Sequence, residues 1–452
     1  MTCWSSCAGW RRRAQLEMNI ERLARAEVER MGGAVPAAEH LRSLVPDGAS
    51  VGEPVREILQ AVRTEGDAAL ERYTRAFDTA GGEPPLLLVS AQELDDALLA
   101  LPRELVAGLQ VAIANVALVA DAGVSNDVAV SLPQGQRVLL REVPVASAAV
   151  YVPGGRAPYP STVVMGVVTA RSAGVVDVAV CSPPGPGGEV DPVILGTCRL
   201  CGVERVYRMG GAQAIAALAY GTETVASVDV IVGPGNLYVQ EAKHQLSAIV
   251  GIDGFAGPSD LLVALGSQAS EGELRLAALD MLAQAEHGEG SLVVAVAPSA
   301  AACEAVAALL EELVVERPTV GEAAFAVVEV ASAREAVALA NAFAPEHLQL
   351  IGSDVEALAQ SVRSAGCVFV GAESATAFGD YVAGSNHVLP TAGAARFAST
   401  LSPRHFRRRM SQVSVGEAAG RLAAAGAPIA RAEGFVVHAE SMEARVGENL
   451  LP

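Results

Sequence analysis

The feature that most constrains this chain is a regular alternation of short apolar runs with segments of helical period. It starts near residue 148 and continues to residue 370. Runs at 138–143, 148–152, 176–181, 206–208 and 228–232 read as strands, with helices over 192–201, 211–218 and 237–246. The pattern resumes with strands at 261–264, 291–296, 325–330 and 367–370, and helices at 274–287, 301–314, 334–343 and 355–364. Most of these runs carry no more than one polar residue, as expected when helices cover both faces of a sheet. Alternation of this kind builds a parallel sheet, so the expected fold class is α/β with two similar Rossmann-like parallel-sheet units. Earlier helices are expected over 51–77, where Val55, Ile58, Leu59 and Val62 recur at helical spacing, and over 91–122.

The 452 residues are enough for two or three domains. We expect residues 1–17 to be a disordered extension and 18–50 a helical N-terminal segment. Residues 51–150 with 257–390 would form a discontinuous first α/β domain, and 151–256 a second. Residues 391–452 would be a C-terminal dimerisation tail, in which Arg404, Arg407, Arg408 and Arg409 form a basic cluster. The net charge of −19 disfavours general nucleic-acid binding, because such a surface repels phosphates. No apolar run reaches the ~20 residues that span a bilayer. Arg11, Arg12 and Arg13 are followed by no apolar stretch, so the N-terminus does not read as a secretory signal. Seven scattered cysteines in a long chain fit a reducing, cytoplasmic setting. Cys198 and Cys201 read as one face of a helix, since a zinc knuckle needs a second such pair.

Several polar clusters can carry chemistry. Gln284 and His287 are three apart at a helix end and can reach one ion, although spacing alone also allows a plain polar helix end. Glu346 and His347 follow Pro345 and offer a carboxylate and an imidazole for acid–base work. As neighbours their side chains should diverge, and the pair is equally compatible with a solvated loop. Asp380 and His387 lie among small residues in a stretch that follows a strand, where α/β proteins place ligand contacts. Glu433 and His438 flank a short apolar run that also suits an edge strand. His40, His244 and His405 read as surface residues. No G-x-G-x-x-G follows a strand. Three other glycine turns do, at Gly154-Gly155, Gly210-Gly211 and Gly233-Pro234-Gly235, and each could let a ligand approach the backbone.

Taken together, the segments VPGGRAP from Val152, MGGAQAIAA from Met209, GPGN from Gly233, AGPS from Ala256, QAEH from Gln284, APEHL from Ala344, GDY from Gly379 and NHVLPT from Asn386 resemble the histidinol dehydrogenase family. The resemblance covers nearly the whole chain from about Met18. It implies oxidation of L-histidinol through the aldehyde to L-histidine, with two NAD+ and one zinc ion per subunit. It places zinc ligands on Gln284, His287, Asp380 and His438, and a catalytic pair on Glu346 and His347. It places substrate contacts on Ser161, Ser259, His387 and Glu433, beside His347 and the zinc ligands, and NAD contacts on Tyr151, Gln213 and Asn236. It also implies an intertwined homodimer in which a swapped tail brings His438 to the other subunit. Asp260 stands where the family has glutamate, residues 372–376 lack the family's proline, and Arg156 lies in the cofactor turn. A related enzyme acting on a sulfonated diol would want more cationic groups here. A zinc hydrolase would need an open metal position, and a non-catalytic scaffold would not need Glu346 and His347.

Overall fold

The computed structural model describes residues 18–45, 50–83, 85–154, 157–254, 257–288, 290–320 and 323–446. The expectations for residues 1–17 and for Arg156 lie outside them. In chain order the strands are β1 (Ile20–Leu23), β2 (Val128–Ser131), β3 (Arg137–Pro144), β4 (Ser147–Tyr151), β5 (Asp177–Ser182), β6 (Arg205–Arg208), β7 (Val230–Val232), β8 (Gly251–Ile252), β9 (Asp260–Leu265), β10 (Leu292–Ala297), β11 (Ala324–Glu329), β12 (His347–Ile351), β13 (Cys367–Val370) and β14 (Arg407–Ser414).

Two parallel sheets organise the chain. One has the order β1-β11-β10-β9-β12-β13 and the other β6-β5-β4-β7-β8. Leaving out β1, both follow one rule. Counted in chain order, the strands of each sheet lie 3-2-1-4-5, so each sheet reverses direction of winding between its first and fourth strands. These are the two similar units that the alternation predicts. The side chains of β9 divide by the strand's two-residue period. Leu261, Val263 and Leu265 join one core with helices Glu271–Ala285 and Ala300–Val314. Leu262 and Ala264 join another with Ala34–Arg42 and Ala333–Phe343. Burial on both faces is why β9 and β10 are almost purely apolar.

The domain boundaries differ from the expectation. Helices Gly52–Glu65 and Asp67–Phe77 pack on the same core as Ala149 and Tyr151. Helices Ala91–Ala100 and Arg103–Ala122 pack on the opposite face, with Ala148 and Val150. Residues 51–150 therefore cover the second sheet rather than the first. The N-terminal segment is not wholly helical, because Ile20 to Leu23 pair in parallel with Phe325 to Val328 at the edge of the first sheet. Helical period identifies an apolar face but not the sheet that it covers. Helix Arg103–Ala122 is, by length and composition, long and apolar enough to cross a bilayer. Here it buries Leu109, Ala112, Val116 and Ala120 within the second unit.

The strand over 138–143 is present but antiparallel. It lies between β2 and β14, so the basic cluster Arg407–Arg409 is part of a strand. After β14 the tail forms a helical hairpin, Ala419–Ala432 and Val436–Glu443, closed on Ala427, Ala430 and Ala439. Its outer side leaves Ile429, Phe435, Val436 and Val437 exposed.

Candidate active site

Ser270 starts helix Glu271–Ala285 by a capping box with Glu273. Gln284 lies in the last turn of this helix, and His287 lies just beyond it, before Gly288 with φ +97°. Gln284 is buried and its Nε2 donates to Ser259 Oγ at 2.5 Å. Ser259 Oγ donates in turn to Glu346 Oε2 at 2.5 Å, and the Asp260 N–H donates to the same oxygen at 3.1 Å. Asp260 Oδ1 accepts the Glu346 N–H at 2.7 Å. These reciprocal bonds follow from the sheet, because β9 and β12 are parallel neighbours with His347 opposite Leu261. Behind them Arg42 Nη1 meets Asp260 Oδ2 at 2.6 Å, while its guanidinium lies 3.8 Å over the Phe343 ring. A fully buried Asp260 carboxylate is thus paired.

His347 is the first residue of β12 and is buried. Its Nδ1 lies 3.7 Å from Glu346 Oε2 and its Nε2 3.4 Å from Asp380 Oδ1. The neighbours do not diverge as expected. Glu346 precedes the strand, outside its pleat, and turns toward the same pocket. Burial lifts the Glu346 carboxyl to about 7, against the pull of the His347 charge. Burial also disfavours the charged His347 ring, but Glu346 and Asp380 outweigh it and raise the ring to about 9. Both ring nitrogens lack a hydrogen-bond partner among the described residues.

Asp380 lies on the short helix Thr376–Tyr381, which residues 372–375 enter as a turn tied by Ser374 Oγ to the Val370 carbonyl at 2.7 Å. The Asp380 carboxyl is held below its ordinary range. Burial opposes ionisation there, but the charge of the His347 ring 3.4 Å away prevails. His387 Nδ1 lies 2.9 Å from the Asp380 carbonyl and its Nε2 3.3 Å from Thr162 Oγ1. Thr162 sits beside Ser161 in the first turn of helix Pro160–Ser172, which follows β4 of the second unit. The pocket therefore lies where the N-terminal edge of the first sheet meets the C-terminal edge of the second.

At that second edge Tyr151 ends β4, is buried, and accepts the Gly211 N–H on its Oη at 3.1 Å. Gln213 is buried in helix Gly211–Tyr220, and its Nε2 has no partner among the described residues. Ser182 Oγ, at the end of β5, is orphaned in the same way. Unsatisfied buried polar atoms of this kind fit a polar ligand such as a dinucleotide. Asn236 caps helix Leu237–Leu246 through a bond from Val239 N–H at 3.1 Å. Gly233 is compelled, because an added Cβ would stand 2.1 Å from the Tyr151 carbonyl oxygen.

Glu433 and His438 stand apart from this pocket. Both are exposed on the tail hairpin, the His438 ring rests on Phe435 at 5.2 Å, and neither forms a hydrogen bond or ion pair with the pocket among the described residues. No three His, Cys, Asp or Glu side chains among the described residues make a metal cage by themselves. The donor set Gln284, His287 and Asp380 nonetheless suits zinc, with one anion and neutral N and O donors. Atoms packed around His287 lower its pKa against the pull of Asp380, which favours the neutral, ligating imidazole. Sequence reasoning missed Arg42, Thr162 and Ser182. Only Ser182 left a signal, as the last residue of an apolar strand.

Two facing sheet edges, one with a buried acid–base pair, are an arrangement that suits an α/β oxidoreductase. A family model described as histidinol dehydrogenase matches residues 45–446, and the chain belongs to that family. It is 40% identical over 410 residues to histidinol dehydrogenase of Gluconobacter oxydans (strain 621H), covering 89% of this chain and 94% of that one. It is 42% identical over 398 residues to that of a Synechococcus species, covering 86% and 91%. The crystal structure of histidinol dehydrogenase from Elizabethkingia anophelis superposes with a TM-score of 0.86 at 29% identity, over 94% of this chain and 98% of that one.

Proposed function

We propose that the pocket oxidises L-histidinol to L-histidine in two NAD-linked steps, with Glu346 and His347 as its acid–base residues. The observation that carries this reading is the convergence of Glu346, His347, Asp380, Ser259 and Gln284 on one sheet edge. Zinc, held by Gln284, His287 and Asp380 with His438 of the partner subunit, would supply a cationic template for the substrate's amine and imidazole nitrogens. NAD+, held along Tyr151, Gln213 and Asn236, would accept a hydride in each oxidation.

The chain's own groups do the proton work. With the Asp380 charge directed to the zinc that it would help hold, part of the pull that raises His347 is relieved, and the neutral ring takes the hydroxyl proton as the alcohol carbon loses hydride, which leaves the aldehyde. Glu346, held at Oε2 by Ser259 and the Asp260 N–H, takes a proton from the water that adds to the aldehyde carbon. A carboxyl with a pKa of about 7 suits that role at neutral pH. As the water adds, His347 returns its proton to the former carbonyl oxygen, which completes the hydrate. In the second oxidation it takes one hydroxyl proton as hydride leaves, and the acid so formed loses its remaining proton to solvent as the carboxylate. Ser161, Ser259 and His387 contact the substrate, with Glu433 from the tail. The exposed His438 and Glu433, and the apolar outer face of the hairpin, support a homodimer with exchanged tails. Free Cys181, Cys198, Cys201, Cys303 and Cys367 support a cytoplasmic setting.

The test is a stoichiometric assay with L-histidinol and NAD+. Two NADH should form per histidinol consumed, and a chelator should abolish turnover. Formation of one NADH, with the aldehyde accumulating, would reject the second step.

A further inference from the structure

Lys243 and Asp253 form the most buried ion pair among the described residues of the second unit, with side chains 1% and 5% exposed and Nζ 2.7 Å from Oδ1. Burying two charges costs several kcal/mol per ion, so such a pair is a poor source of stability. What it grips is informative. Lys243 Nζ also donates to the Gly233 carbonyl, at 2.5 Å. Asp253 Oδ2 accepts the Gly233 N–H at 2.7 Å. Both polar groups of one glycine are thus held by opposite members of one ion pair. Lys243 reaches in from helix Leu237–Leu246, and Asp253 follows the outermost strand, β8. Gly233 has φ +113° and opens the turn to Asn236. That turn is also tied locally, by the Asn236 cap and by Gln240 Nε2 to the Gly235 carbonyl at 3.4 Å.

We propose that Lys243 and Asp253 are positioning residues, whose ion pair fixes the Gly233 peptide and so sets the Gly233–Asn236 turn for nucleotide binding. The inference rests on the reading of this edge as the NAD site. Neither charged group is open to the pocket, so neither touches nucleotide. They act by holding backbone that must lie within a few tenths of an ångström of its place. The pair belongs to the second unit, whereas Glu346, His347 and the zinc donors stand on the first.

The test compares NADH binding, followed by its fluorescence, with L-histidinol binding to the zinc-loaded enzyme measured by calorimetry without nucleotide. Asp253→Asn keeps an acceptor for the Gly233 N–H but removes the charge, and Lys243→Met removes the other half. The NADH Kd should rise about tenfold in Asp253→Asn and further in Lys243→Met, while the L-histidinol Kd stays within about twofold. If Lys243→Met does not fold, Asp253→Asn decides alone. Unchanged NADH binding, or equal weakening of both ligands, would overturn the proposal, since the second pattern reports general loosening. A parent enzyme that binds no NADH would instead remove the nucleotide reading beneath it.

Discussion

His347 shows how much one position can be asked to do. It opens β12, lies against Glu346 on one side and Asp380 on the other, and has no hydrogen-bond partner for either ring nitrogen among the described residues. In His347→Asn we expect kcat to fall on the order of 10³-fold with zinc content unchanged, as measured by metal analysis beside the assay. Loss of zinc in that variant would move His347 into the metal set. Asp78 poses a simpler problem at the end of helix Asp67–Phe77. Burial raises its carboxyl to about 6, and Oδ2 has no hydrogen-bond partner among the described residues. Its folded pKa lies above the unfolded value, so the folded chain keeps a proton that the unfolded chain has already lost. That contribution is complete below about pH 4 and disappears as pH rises through about 6. Asp78→Asn should therefore gain stability over the parent above pH 6, on the order of 1 kcal/mol after allowing for solvent screening, with little gain at about pH 4. A melting-temperature difference that is the same across this range would count against it.

At the scale of elements, legibility follows periodicity. The apolar strands β5, β9, β10 and β11 and the helices between them stand in the sequence because burial on both faces leaves no polar interruption. Strand β12 does not, since its first residue is His347 and Gln349 is buried against Asp280 at 2.6 Å, so its polar residues mask the run. Helix Pro160–Ser172 is missed for the opposite reason. It is buried along almost its whole length and presents no amphipathic stripe. The candidate nucleotide residues Tyr151 and Gly233 stand at or just after strand ends, whereas Ser259, Glu346 and His347 stand at the starts of theirs. Spacing alone joined Gln284 to His287, whereas the resemblance was needed to bring in Asp380. Helix Pro160–Ser172 also sets a packing limit. At Gly166 an added Cβ would lie 2.5 Å from Val150 Cγ1 of β4. Gly166→Ala should cost about 2 kcal/mol, read as a lower urea midpoint with an unchanged m-value. A stability equal to the parent's would mean that the helix shifts freely on the sheet.

The whole molecule carries its candidate catalytic pocket in the body and an expected zinc ligand on an exposed tail. If the tails are exchanged, each inactive variant can repair one site of its partner. Co-expressed His347→Asn and His438→Ala chains should then recover about a quarter of parental activity, because about half the dimers are mixed and each has one complete site. No recovery would place His438 in its own subunit's site. The sheet orders carry a consequence of another kind, about timing. The strands of the second sheet are contiguous in the chain, from Ser147 to Ile252. The first sheet instead joins Ile20 to Phe325 and needs Val370 to be complete. During synthesis the second unit has all its strands while β1 is still a lone strand with no sheet to join. The earliest strand to leave the ribosome is among the last to be paired, and until then its backbone edge stays open to wrong partners.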